Sequence, residues 1–567
     1  MKGDELEVFL RLLTTEVRQS ATDARDLLFR RDPSKSRSLF NRVTYISNQV
    51  AQLQKLAMEK AMRKGPNRES LYLQGLSSVA SRLERISDLL LNLDRQAGYL
   101  TRISVLYPYN LDEFFKEILF GLDKIYPALL QRDVGLAVKL GQVEEKLDSC
   151  YANRFSRLIK EFGTGSSAED LVTVIMIVHY LERIGDIFLE IGEKIIYISM
   201  GEKIKLEQYK ALGEGLKATG ESMEPARLDF RSIWGGRSGC RIGVIGHPET
   251  APGQGGQAGP NCQGGQGGQD GQTVVFKHGP ASKMTRERDN LAIWEEFRPG
   301  LTPKVKAFIP AEAGNEAALI MEFVNSRNLQ ALLLDNDSDG AAQGIKAAFK
   351  TMFDVWRETK VEREVSSTFC RQTEDRLQEA TTLYPRLMRH QGAVGSWRLK
   401  PVAEVLAEAK ALEESLKVPF TARIHGDFNL SNLLYNPESH KLTFVDIYRS
   451  RETDYVQDVS VMLVSIARLP VVGNQGRHRL YQTARMAESM TRTFAKEQND
   501  ETYSARLAFG LARSFVTSTR FVLDDRLAGQ FVARARYLWE TIIAHRAKGL
   551  SWAEFIFPLE ILAIYIE

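Results

Sequence analysis

One short segment constrains the fold of this chain more than any other. Residues 424–434 read IHGDFNLSNLL, in which a polar loop separates two apolar runs. A further apolar run ends at Asp446, fourteen residues after Asn432. Short apolar runs bounded by polar residues are typical of buried strands. The segment therefore predicts a loop between strands that places Asp427 and Asn432 near Asp446.

These residue types suit phosphoryl transfer from ATP. That reaction needs one carboxylate to accept the proton of the acceptor hydroxyl, and oxygen ligands to hold Mg²⁺. Asp427 suits the first role, whereas Asn432 and Asp446 suit the second as metal ligands. The spacing HxDxxxxN followed by a later Asp matches the catalytic loop of kinases. We therefore expect Asp427 and His425 to be the catalytic residues.

The second position of the motif indicates which kinases the chain is similar to. Protein kinases have Arg there, whereas this chain has Gly426. The pattern HGDxxxxN resembles the aminoglycoside phosphotransferase and choline-kinase-like family, whose members phosphorylate small molecules. The resemblance implies ATP and Mg²⁺ as cofactors, an unidentified small-molecule acceptor, and a two-lobed α+β domain over residues 226–567. It also implies that Asp458 braces the catalytic loop.

Residues upstream of the motif are in the order that such a kinase requires. Glycines let backbone N–H groups approach phosphate oxygens, and the sequence around residue 235 is a glycine turn between two strand-like runs. A strand Lys then pairs with a helix Glu, and the run IMEFV resembles the hinge that reads adenine. The expected nucleotide-binding residues are Gly235, Gly236, Ser238, Lys277, Glu287, Glu322 and Val324.

The C-terminal helices carry several basic residues, and in the family this region builds the acceptor site. Charged helix faces are usually just solvated, so an anionic acceptor is here only an alternative. The basic residues are Arg513, Arg520, Arg526, Arg534 and Arg536.

A low-complexity segment, residues 249–272, contains many Gly and Gln residues and no Val, Leu, Ile or aromatic residue. Gly239 and Lys277 are 38 residues apart, and removing these 24 residues leaves 14, an ordinary interval between adjacent strands. We therefore interpret the segment as an insertion in a hairpin of the α+β half. The strand-like runs of that half are 228–234, 241–245, 273–277, 318–323 and 442–446.

Residues 5–218 have helical periodicity throughout, and their breaks divide them into about six long helices. LERISD at 83–88 recurs as LERIGD at 181–186, an offset of 98 residues. The repeat predicts two three-helix units, at about 5–105 and 111–218. The fold class is therefore a mainly α N-terminal domain followed by an α+β, kinase-like domain.

Each copy of the repeat places two carboxylates one helical turn apart, and their repulsion calls for a cation. Pairing with a nearby arginine, such as Arg85 or Arg183, is the alternative. The segment resembles the phosphate-uptake regulator family, PhoU, whose bundles gather metal clusters on such motifs. The resemblance implies iron, zinc or magnesium on these faces and phosphate-responsive regulation through a transporter or a sensor kinase. The expected ligands are Glu84, Asp88, Glu182 and Asp186, with His179 as a further candidate.

The first unit departs from the PhoU pattern, because residues 42–56 contain no carboxylate. The second unit offers Glu144, Glu145 and Asp148 at the corresponding place, so its metal site is the stronger prediction.

Charge and hydropathy narrow the function classes. Lys and Arg total 75 against 72 for Asp and Glu, a formal net charge of +3, so we expect no nucleic-acid partner. The N-terminus lacks the apolar core of a signal peptide, and we expect a cytoplasmic protein and a homodimer.

Three interpretations of function stay open at this stage. The first is an ATP-dependent small-molecule kinase fused to a metal-binding regulatory bundle. The second is a non-catalytic nucleotide sensor that regulates phosphate transport or signalling, and the third is a housekeeping kinase whose bundle only mediates assembly. Asp427 favours the first over the second, because a protein that only binds nucleotide has no need for a general base.

Overall fold

A computed structural model of the chain describes most of its residues. These are residues 5–30, 33–65, 67–162, 167–220, 229–232, 240–246, 273–310, 315–335, 338–389, 392–394, 397–471, 473–522 and 524–563. The chain divides into two compact units. The first comprises Met1–Ser232 and Gly243–Ala251, and the second comprises Ile233–Ile242 and Pro252–Glu567.

The described part of the first unit contains seven α-helices and a short 3-10 helix, Ile103–Tyr109. Six of the helices are long, as the periodicity predicts, and the seventh has 13 residues. They are α1 (Glu5–Arg30), α2 (Pro33–Lys64), α3 (Arg68–Ala97), α4 (Asp112–Gln131), α5 (Val134–Glu161), α6 (Ala168–Met200) and α7 (Leu206–Ala218).

The six long helices form two three-helix bundles. Helices α1, α2 and α3 pack on one another, and so do α4, α5 and α6. Contacts of α1 with α4 and of α3 with α6 join the bundles. Leu76, Leu83 and Leu90 of α3 are fully buried, because side chains seven residues apart share one helix face. The predicted helical fold of this part is confirmed.

Local sequence sets where several of these helices begin and end. The side chain of Asn67 accepts hydrogen bonds from the first free N–H groups of α3, and Asp133 and Ser167 do the same for α5 and α6. Helix α6 ends at Gly201, whose φ of 79° is a left-handed conformation that glycine adopts without strain.

Two strands, β1 (Asp229–Ser232) and β2 (Arg241–Gly246), pair antiparallel, with Phe230 opposite Ile245. Both were predicted as strands. The spatial division groups this pairing with the first unit, whereas the sequence assigned it to the α+β half. The predicted boundary near residue 226 stays a prediction, because residues 221–228 lie outside the described residues.

Lys277 lies on strand β3 (Val274–Pro280) of the second unit. Strand β3 pairs antiparallel with β5, and β5 pairs with β4, with Lys277 opposite Leu319. The described strands of this unit are β3 (Val274–Pro280), β4 (Val305–Ile309), β5 (Glu316–Glu322), β6 (Arg327–Asn328), β7 (Val365–Ser366), β8 (Gly392–Val394), β9 (Trp397–Leu399), β10 (Lys417–Val418), β11 (Ala422–Ile424), β12 (Leu433–Tyr435), β13 (Leu442–Phe444) and β14 (Arg451–Thr453).

Helices form the larger part of the second unit. One of them, α8, follows β3 directly, and the last four lie together after the motif segment. The helices are α8 (Ala281–Phe297), α9 (Leu329–Leu334), α10 (Ser338–Glu358), α11 (Phe369–Leu383), α12 (Pro385–Arg389), α13 (Val402–Glu413), α14 (Val456–Ala467), α15 (Asn474–Glu497), α16 (Tyr503–Thr519) and α17 (Asp525–Ala547), with 3-10 turns at Leu430–Asn432 and Leu559–Leu562.

The strand pairings place the motif segment. Strand β11 leads into the loop with His425, and it pairs with β14; β12 leaves the loop and pairs with β13, which ends just before Asp446. The predicted loop between strands is therefore confirmed. Residues 249–272 lie outside the described residues, so their assignment as an insertion stays a prediction. Among the described helices, none is both long and apolar enough to cross a membrane.

Candidate active site

Lys277 lies between two carboxylates in the interior of the second unit. Its Nζ donates to Glu287 Oε1 at 2.6 Å and to Asp446 Oδ1 at 2.7 Å. Lys277 and Glu287 are only 2% and 1% exposed, whereas the Asp446 side chain keeps 18% of its surface. Three sequence-predicted residues from a strand, a helix and a loop therefore meet at one point.

The electrostatics of this triad keep the lysine charged. Burial by itself would lower the pKa of Lys277, but the Glu287 and Asp446 carboxylates raise it above its ordinary value. Burial would likewise raise the pKa of Asp446, but the Lys277 ammonium holds it below its ordinary value. Near neutral pH the ammonium and the Asp446 carboxylate therefore face one another as an ion pair.

Helix α8, which carries Glu287, is tied to the loops on both sides of the motif. Asn290 Nδ2 donates to the carbonyls of Ile447 at 2.9 Å and Ser450 at 3.2 Å. Trp294 Nε1 donates to Ser450 Oγ at 2.8 Å, and that hydroxyl donates to the carbonyl of Ile424 at 2.7 Å. These bonds hold the helix at a fixed distance from both the Asp446 loop and the His425 loop.

Asp427 lies in the loop between β11 and β12, beside the triad. Its Oδ1 accepts from Asn429 Nδ2 at 2.9 Å, and Arg449 Nη1 lies 3.4 Å from its Oδ2. Burial raises the pKa of Asp427; Arg449 opposes that rise and the Asp446 charge adds to it. A carboxylate with a raised pKa is a better proton acceptor than a fully solvated one, which is what a general base requires.

The conformation of the loop depends on Gly426 and Asp458. Gly426 has a φ of 87°, and a Cβ there would lie 2.3 Å from the carbonyl oxygen of Arg449. Only glycine fits this left-handed position and close approach. Asp458 Oδ2 and Oδ1 accept the backbone N–H groups of His425 and Gly426 at 2.7 and 2.9 Å. The predicted bracing by Asp458 is therefore present.

His425, which the sequence predicts to be catalytic, is fully buried. Its ring packs edge-on against Phe428 and Phe444, and its Nδ1 accepts the N–H of Asp427 at 3.3 Å. Burial lowers its pKa to about 4, so the ring is neutral near neutral pH. We assign it a positioning role, because a ring enclosed in the core does not reach a reacting atom.

Asn432 and Asp446 present oxygen atoms suited to a magnesium ion. The N–H of Val445 donates to the carbonyl of Asn432 at 3.0 Å, which holds the two residues side by side. Asn432 Nδ2 donates to the carbonyl of Asp427 at 3.0 Å, whereas its Oδ1 accepts a long hydrogen bond of 3.5 Å from Ser431 Oγ. Asp446 adopts a φ of 60°, a strained backbone of the kind found at functional sites.

The structure describes two of the remaining predicted nucleotide-binding residues, Glu322 and Val324. The N–H of Glu322 donates to the carbonyl of Lys304 at 2.9 Å, at the end of β5. Among the described backbone groups, Val324 has an accepting carbonyl and an N–H without a backbone acceptor, as an adenine-reading segment needs. The predicted glycine-turn residues Gly235, Gly236 and Ser238 lie outside the described residues.

The first unit contains a separate acidic cluster, which we define as Glu144, Asp148 and Asp186. Carboxylate oxygens of these residues lie within 4.8 Å of one another, and the cluster joins α5 to α6. Burial, the neighbouring carboxylates of Asp148 and Asp186, and those of two further acids raise the pKa of Glu144 to about 7. Such mutual repulsion is what a bound divalent cation would relieve.

Two further predicted ligands, Glu182 and His179, contact each other. Glu182 Oε2 lies 3.2 Å from His179 Nδ1, and burial together with Asp186 raises the pKa of Glu182. Asp186 Oδ2 also accepts from Arg183 Nη1 at 2.6 Å, which is the arginine pairing considered from the sequence. Asp186 is therefore shared between a cation on its own helix and the cluster.

The first copy of the repeat differs from the second. In the described part of the chain, no third acidic, His or Cys side chain forms a compact group with Glu84 and Asp88. The Asp88 side chain is largely exposed to solvent. Its partial desolvation and the neighbouring Glu84 carboxylate raise its pKa. The absence of carboxylates from residues 42–56 predicted this difference, because α2 is the helix that packs on α3.

Sequence reasoning missed several residues that shape the candidate active site. Arg449 and Asn290 make contacts described above, but neither belongs to a pattern that the sequence displays. Glu144 and Asp148 were noticed as nearby acids without being selected as ligands. Their spacing of four residues on α5, facing LERIGD, is the signal that could have selected them.

Two family models match the chain. The model described as the PhoU domain matches residues 111–195, and the model described as the phosphotransferase enzyme family, APH, matches residues 267–489. The first range contains the acidic cluster, and the second contains the Lys277 triad and Asp427. The chain therefore contains a helical region that matches the PhoU domain and an α+β region that matches kinase-like phosphotransferases.

Individual proteins are also similar to parts of this chain. The phosphate-specific transport system accessory protein PhoU homolog 1 of Thermotoga maritima is 24% identical over 193 residues, which are 33% of this chain and 83% of that protein. The phosphate transport system regulatory protein PhoU of Streptococcus pneumoniae is 20% identical over 35% of this chain and 96% of that chain, with a TM-score of 0.33. The aminoglycoside phosphotransferase APH(3'')-Id of Streptomyces rimosus is 16% identical over 54% of this chain and 98% of that chain, with a TM-score of 0.32.

Proposed function

We propose that the second unit is an ATP-dependent kinase that phosphorylates the hydroxyl group of a small molecule. The observation that carries this proposal is the meeting of Lys277, Glu287 and Asp446, with Asp427 on the adjoining loop. A lysine held between a helix glutamate and a metal-binding aspartate is the arrangement that phosphoryl transfer uses to orient nucleotide phosphates. The match to the phosphotransferase model over residues 267–489 supports the same reaction class.

Each residue would then have a distinct task. Lys277 would hold the α- and β-phosphates of ATP, and Glu287 would keep its ammonium in place. The Asp427 carboxylate would accept the proton of the acceptor hydroxyl as that oxygen attacks the γ-phosphorus. Asn432 Oδ1 and Asp446 would hold Mg²⁺, which when bound offsets negative charge on the phosphates. Backbone groups of Glu322 and Val324 would read adenine, and Gly235, Gly236 and Ser238 would cover the phosphates.

We extend the proposal to the first unit, as a metal-binding regulatory domain. The acidic cluster, with Glu182 beside it, would bind a divalent ion such as iron, zinc or magnesium. The match to the PhoU model supports phosphate-responsive regulation through a transporter or a sensor kinase as partner. A cytoplasmic location, where ATP is available, and a homodimeric state are parts of this proposal.

Replacement of the proposed general base tests the kinase activity. We expect Asp427→Asn to lower kcat by about 10²–10⁴, because a neutral amide does not accept the hydroxyl proton. Affinity for AMP-PNP should change by less than about threefold, since Lys277, Asn432 and Asp446 remain. Asp354→Asn is a matched control, because Asp354 lies on α10, pairs with Arg357 and has no assigned role in the site.

The readouts are transfer of labelled phosphate from ATP to a panel of hydroxylated metabolites and, separately, AMP-PNP titration. Equal turnover by Asp427→Asn and the wild type would remove Asp427 from the mechanism. Tight AMP-PNP binding by a wild type that phosphorylates no panel member would replace the kinase with the nucleotide-sensing alternative.

A further inference from the structure

Three arginines form a basic cluster beside Asp427, which we define as Arg449, Arg451 and Arg513. Arg449 lies three residues after Asp446, Arg451 begins β14, and Arg513 projects from α16. Arg449 Nη1 lies 3.4 Å from Asp427 Oδ2, and Arg451 lies opposite Ile424 at the start of the motif loop. Arg513 Nη2 donates to Ser460 on α14, the helix whose Asp458 accepts the N–H of Gly426 in the same loop.

Arg513 is held in place by neutral groups. Its Nη1 donates to Gln372 Oε1 at 3.0 Å, and its Nη2 donates to Ser514 Oγ at 2.9 Å and to Ser460 Oγ at 3.3 Å. Its guanidinium also lies 5.6 Å from the ring centre of Phe369. Its Nε is buried and makes no hydrogen bond to any described residue. The guanidinium is thus fixed in position while its charge is not neutralised by contact.

Other arginines of the C-terminal helices are, by contrast, paired with carboxylates. Arg520, at the end of the same helix, pairs with Glu379 at 2.7 Å, and Arg536 pairs with Glu540 at 2.7 Å. In the described part of the chain, no carboxylate lies within ion-pair distance of Arg513, and Arg451 donates only to the amide oxygen of Gln457 at 3.4 Å.

The charges within the basic cluster act on one another. Burial, followed by the repulsion of Arg449 and Arg451, lowers the pKa of Arg513 to about 10, while Asp427 and Asp458 oppose the fall. The three arginines carry three positive charges, and the two carboxylates that act on Arg513, those of Asp427 and Asp458, carry at most two negative charges. An excess of positive charge remains. An arginine that is pre-positioned but not paired with a carboxylate is well suited to attract a phosphate or carboxylate group.

We propose that the basic cluster binds an anionic group of the phosphoryl acceptor, with Arg513 as its main contact. The acceptor would then be a hydroxyl compound that carries a phosphate or carboxylate group. Its hydroxyl would lie at Asp427 and its anionic group at Arg513. This inference rests on the proposed kinase function, and it names the substrate class of that site.

The phosphates of ATP are the competing ligand for these arginines. Lys277 and Asp446 already provide for the nucleotide phosphates on the β3 side of the site. Experiments that separate nucleotide binding from anion binding therefore decide between the two assignments.

The test is a calorimetric titration of the full-length protein in two steps. AMP-PNP with Mg²⁺ is titrated first, and inorganic phosphate is then titrated into the nucleotide-saturated protein, with acetate as a carboxylate probe in a parallel arm. We expect Arg513→Gln to weaken binding of phosphate by about tenfold or more while AMP-PNP affinity stays within about twofold. Arg520→Gln, which removes a cation already paired with Glu379, should leave both affinities unchanged.

Arg451→Gln provides a second variant, because Arg451 is exposed and its replacement leaves the core intact. It should weaken phosphate binding by about threefold to tenfold. Saturable phosphate binding that Arg513→Gln leaves unchanged, or no binding of either anion by the wild type, would overturn the inference. So would a loss of AMP-PNP affinity in Arg513→Gln with unchanged phosphate binding. Failure of the wild type to bind AMP-PNP would instead count against the proposed kinase function. The anion titration would then be repeated without nucleotide, so that anion binding is judged separately.

Discussion

The molecule contains two groups of carboxylates that solve the same electrostatic problem differently. In the second unit, Glu287 and Asp446 share the buried ammonium of Lys277. In the described part of the first unit, Arg183 pairs with Asp186 of the acidic cluster, but no cation bridges all three carboxylates. The Asp148 and Asp186 carboxylates add to the rise that burial causes in the pKa of Glu144, and Asp186 does the same for Asp148. The triad is internally compensated, whereas the acidic cluster depends on protons or on a bound ion.

This difference predicts that removing one charge changes the folding stability in opposite directions in the two groups. Removing a charge from a compensated group leaves a partner buried without neutralisation, which destabilises the fold. Removing a charge from a group of like charges relieves repulsion, so the metal-free fold gains stability while ion binding is lost. Four experiments test the comparison, in order of decreasing effect on stability.

The largest effect is expected from Lys277→Met. Two carboxylates would lose their shared cation in the interior, so the variant should lose about 3–5 kcal/mol of unfolding free energy in the second unit. Hydrogen exchange of the β3 and α8 amides in the full-length protein measures this locally. Lys304→Met, a change at an exposed lysine, is the control. Exchange rates in Lys277→Met that match the control would show that the triad is not compensated by this lysine.

Gly426→Ala should have the next largest effect, because a Cβ would meet the Arg449 carbonyl and the φ of 87° would be strained. We expect a loss of about 2–3 kcal/mol and a fall in phosphoryl transfer of about 100-fold as Asp427 shifts. Thermal unfolding and turnover are the measurements. Gly529→Ala in α17, where the nearest side-chain atom would be 3.6 Å away, should be neutral or slightly stabilising. Equal behaviour of the two variants would remove the steric explanation.

The pH dependence of the metal-free protein should report on Glu144. Its pKa in the folded state is about 7, against an ordinary value of 4.5, so the folded state binds more protons than the unfolded state between these values. Stability from this group is therefore present below about pH 4.5 and is lost as the pH rises towards 7. After allowance for solvent screening the change is on the order of 1 kcal/mol.

Glu144→Gln should remove that contribution, and the measurement is the difference between variant and wild-type unfolding free energies from pH 5 to 8. The difference cancels Asp458, whose pKa is raised to about 7 by burial, and His425, which contributes the opposite slope. Parallel pH profiles for the two proteins would show that Glu144 titrates normally.

The smallest change in stability is expected from Asp148→Asn. It relieves repulsion with Asp186, so the metal-free protein should gain about 0.2–0.5 kcal/mol. Its affinity for Mn²⁺ should nevertheless fall by about tenfold or more, because one of three oxygen ligands is lost. Asp88→Asn in the first copy of the repeat should retain the wild-type affinity. Equal Mn²⁺ loss in both variants would mean that the two copies bind metal alike.

The two copies of the repeat show why one cluster is compact and the other is not. In the second copy, Gly185 allows α6 to approach α5, since a Cβ there would lie only 3.2 Å from the Cβ of Leu147. Asp186 is thereby brought to Glu144 and Asp148. The first copy has Ser87 at the corresponding place, and residues 42–56 of its facing helix contain no carboxylate. The one-letter difference between LERISD and LERIGD was visible in the sequence, but its consequence depends on the neighbouring helix.

Much of the candidate active site was predictable because its residues lie in short motifs whose order is imposed by phosphoryl transfer. Lys277, Asp427, Asn432 and Asp446 could be found from the residues beside them on the chain. His425 could also be found from the motif, but only the packing of Phe428 and Phe444 around it shows that it is enclosed.

The sequence by itself determined the local features of this protein: the six long helices, the repeat, the loop of the motif and the division into a helical part and an α+β part. Helical periodicity and turn chemistry act over a few residues, so they can be read along the chain. Only the tertiary structure decided which charges meet. Arg513 comes from a segment distant from Arg449 and Arg451, and Glu144 and Asp186 lie on different helices. The electrostatic energy of such groups depends on distances that folding sets and on burial that removes water.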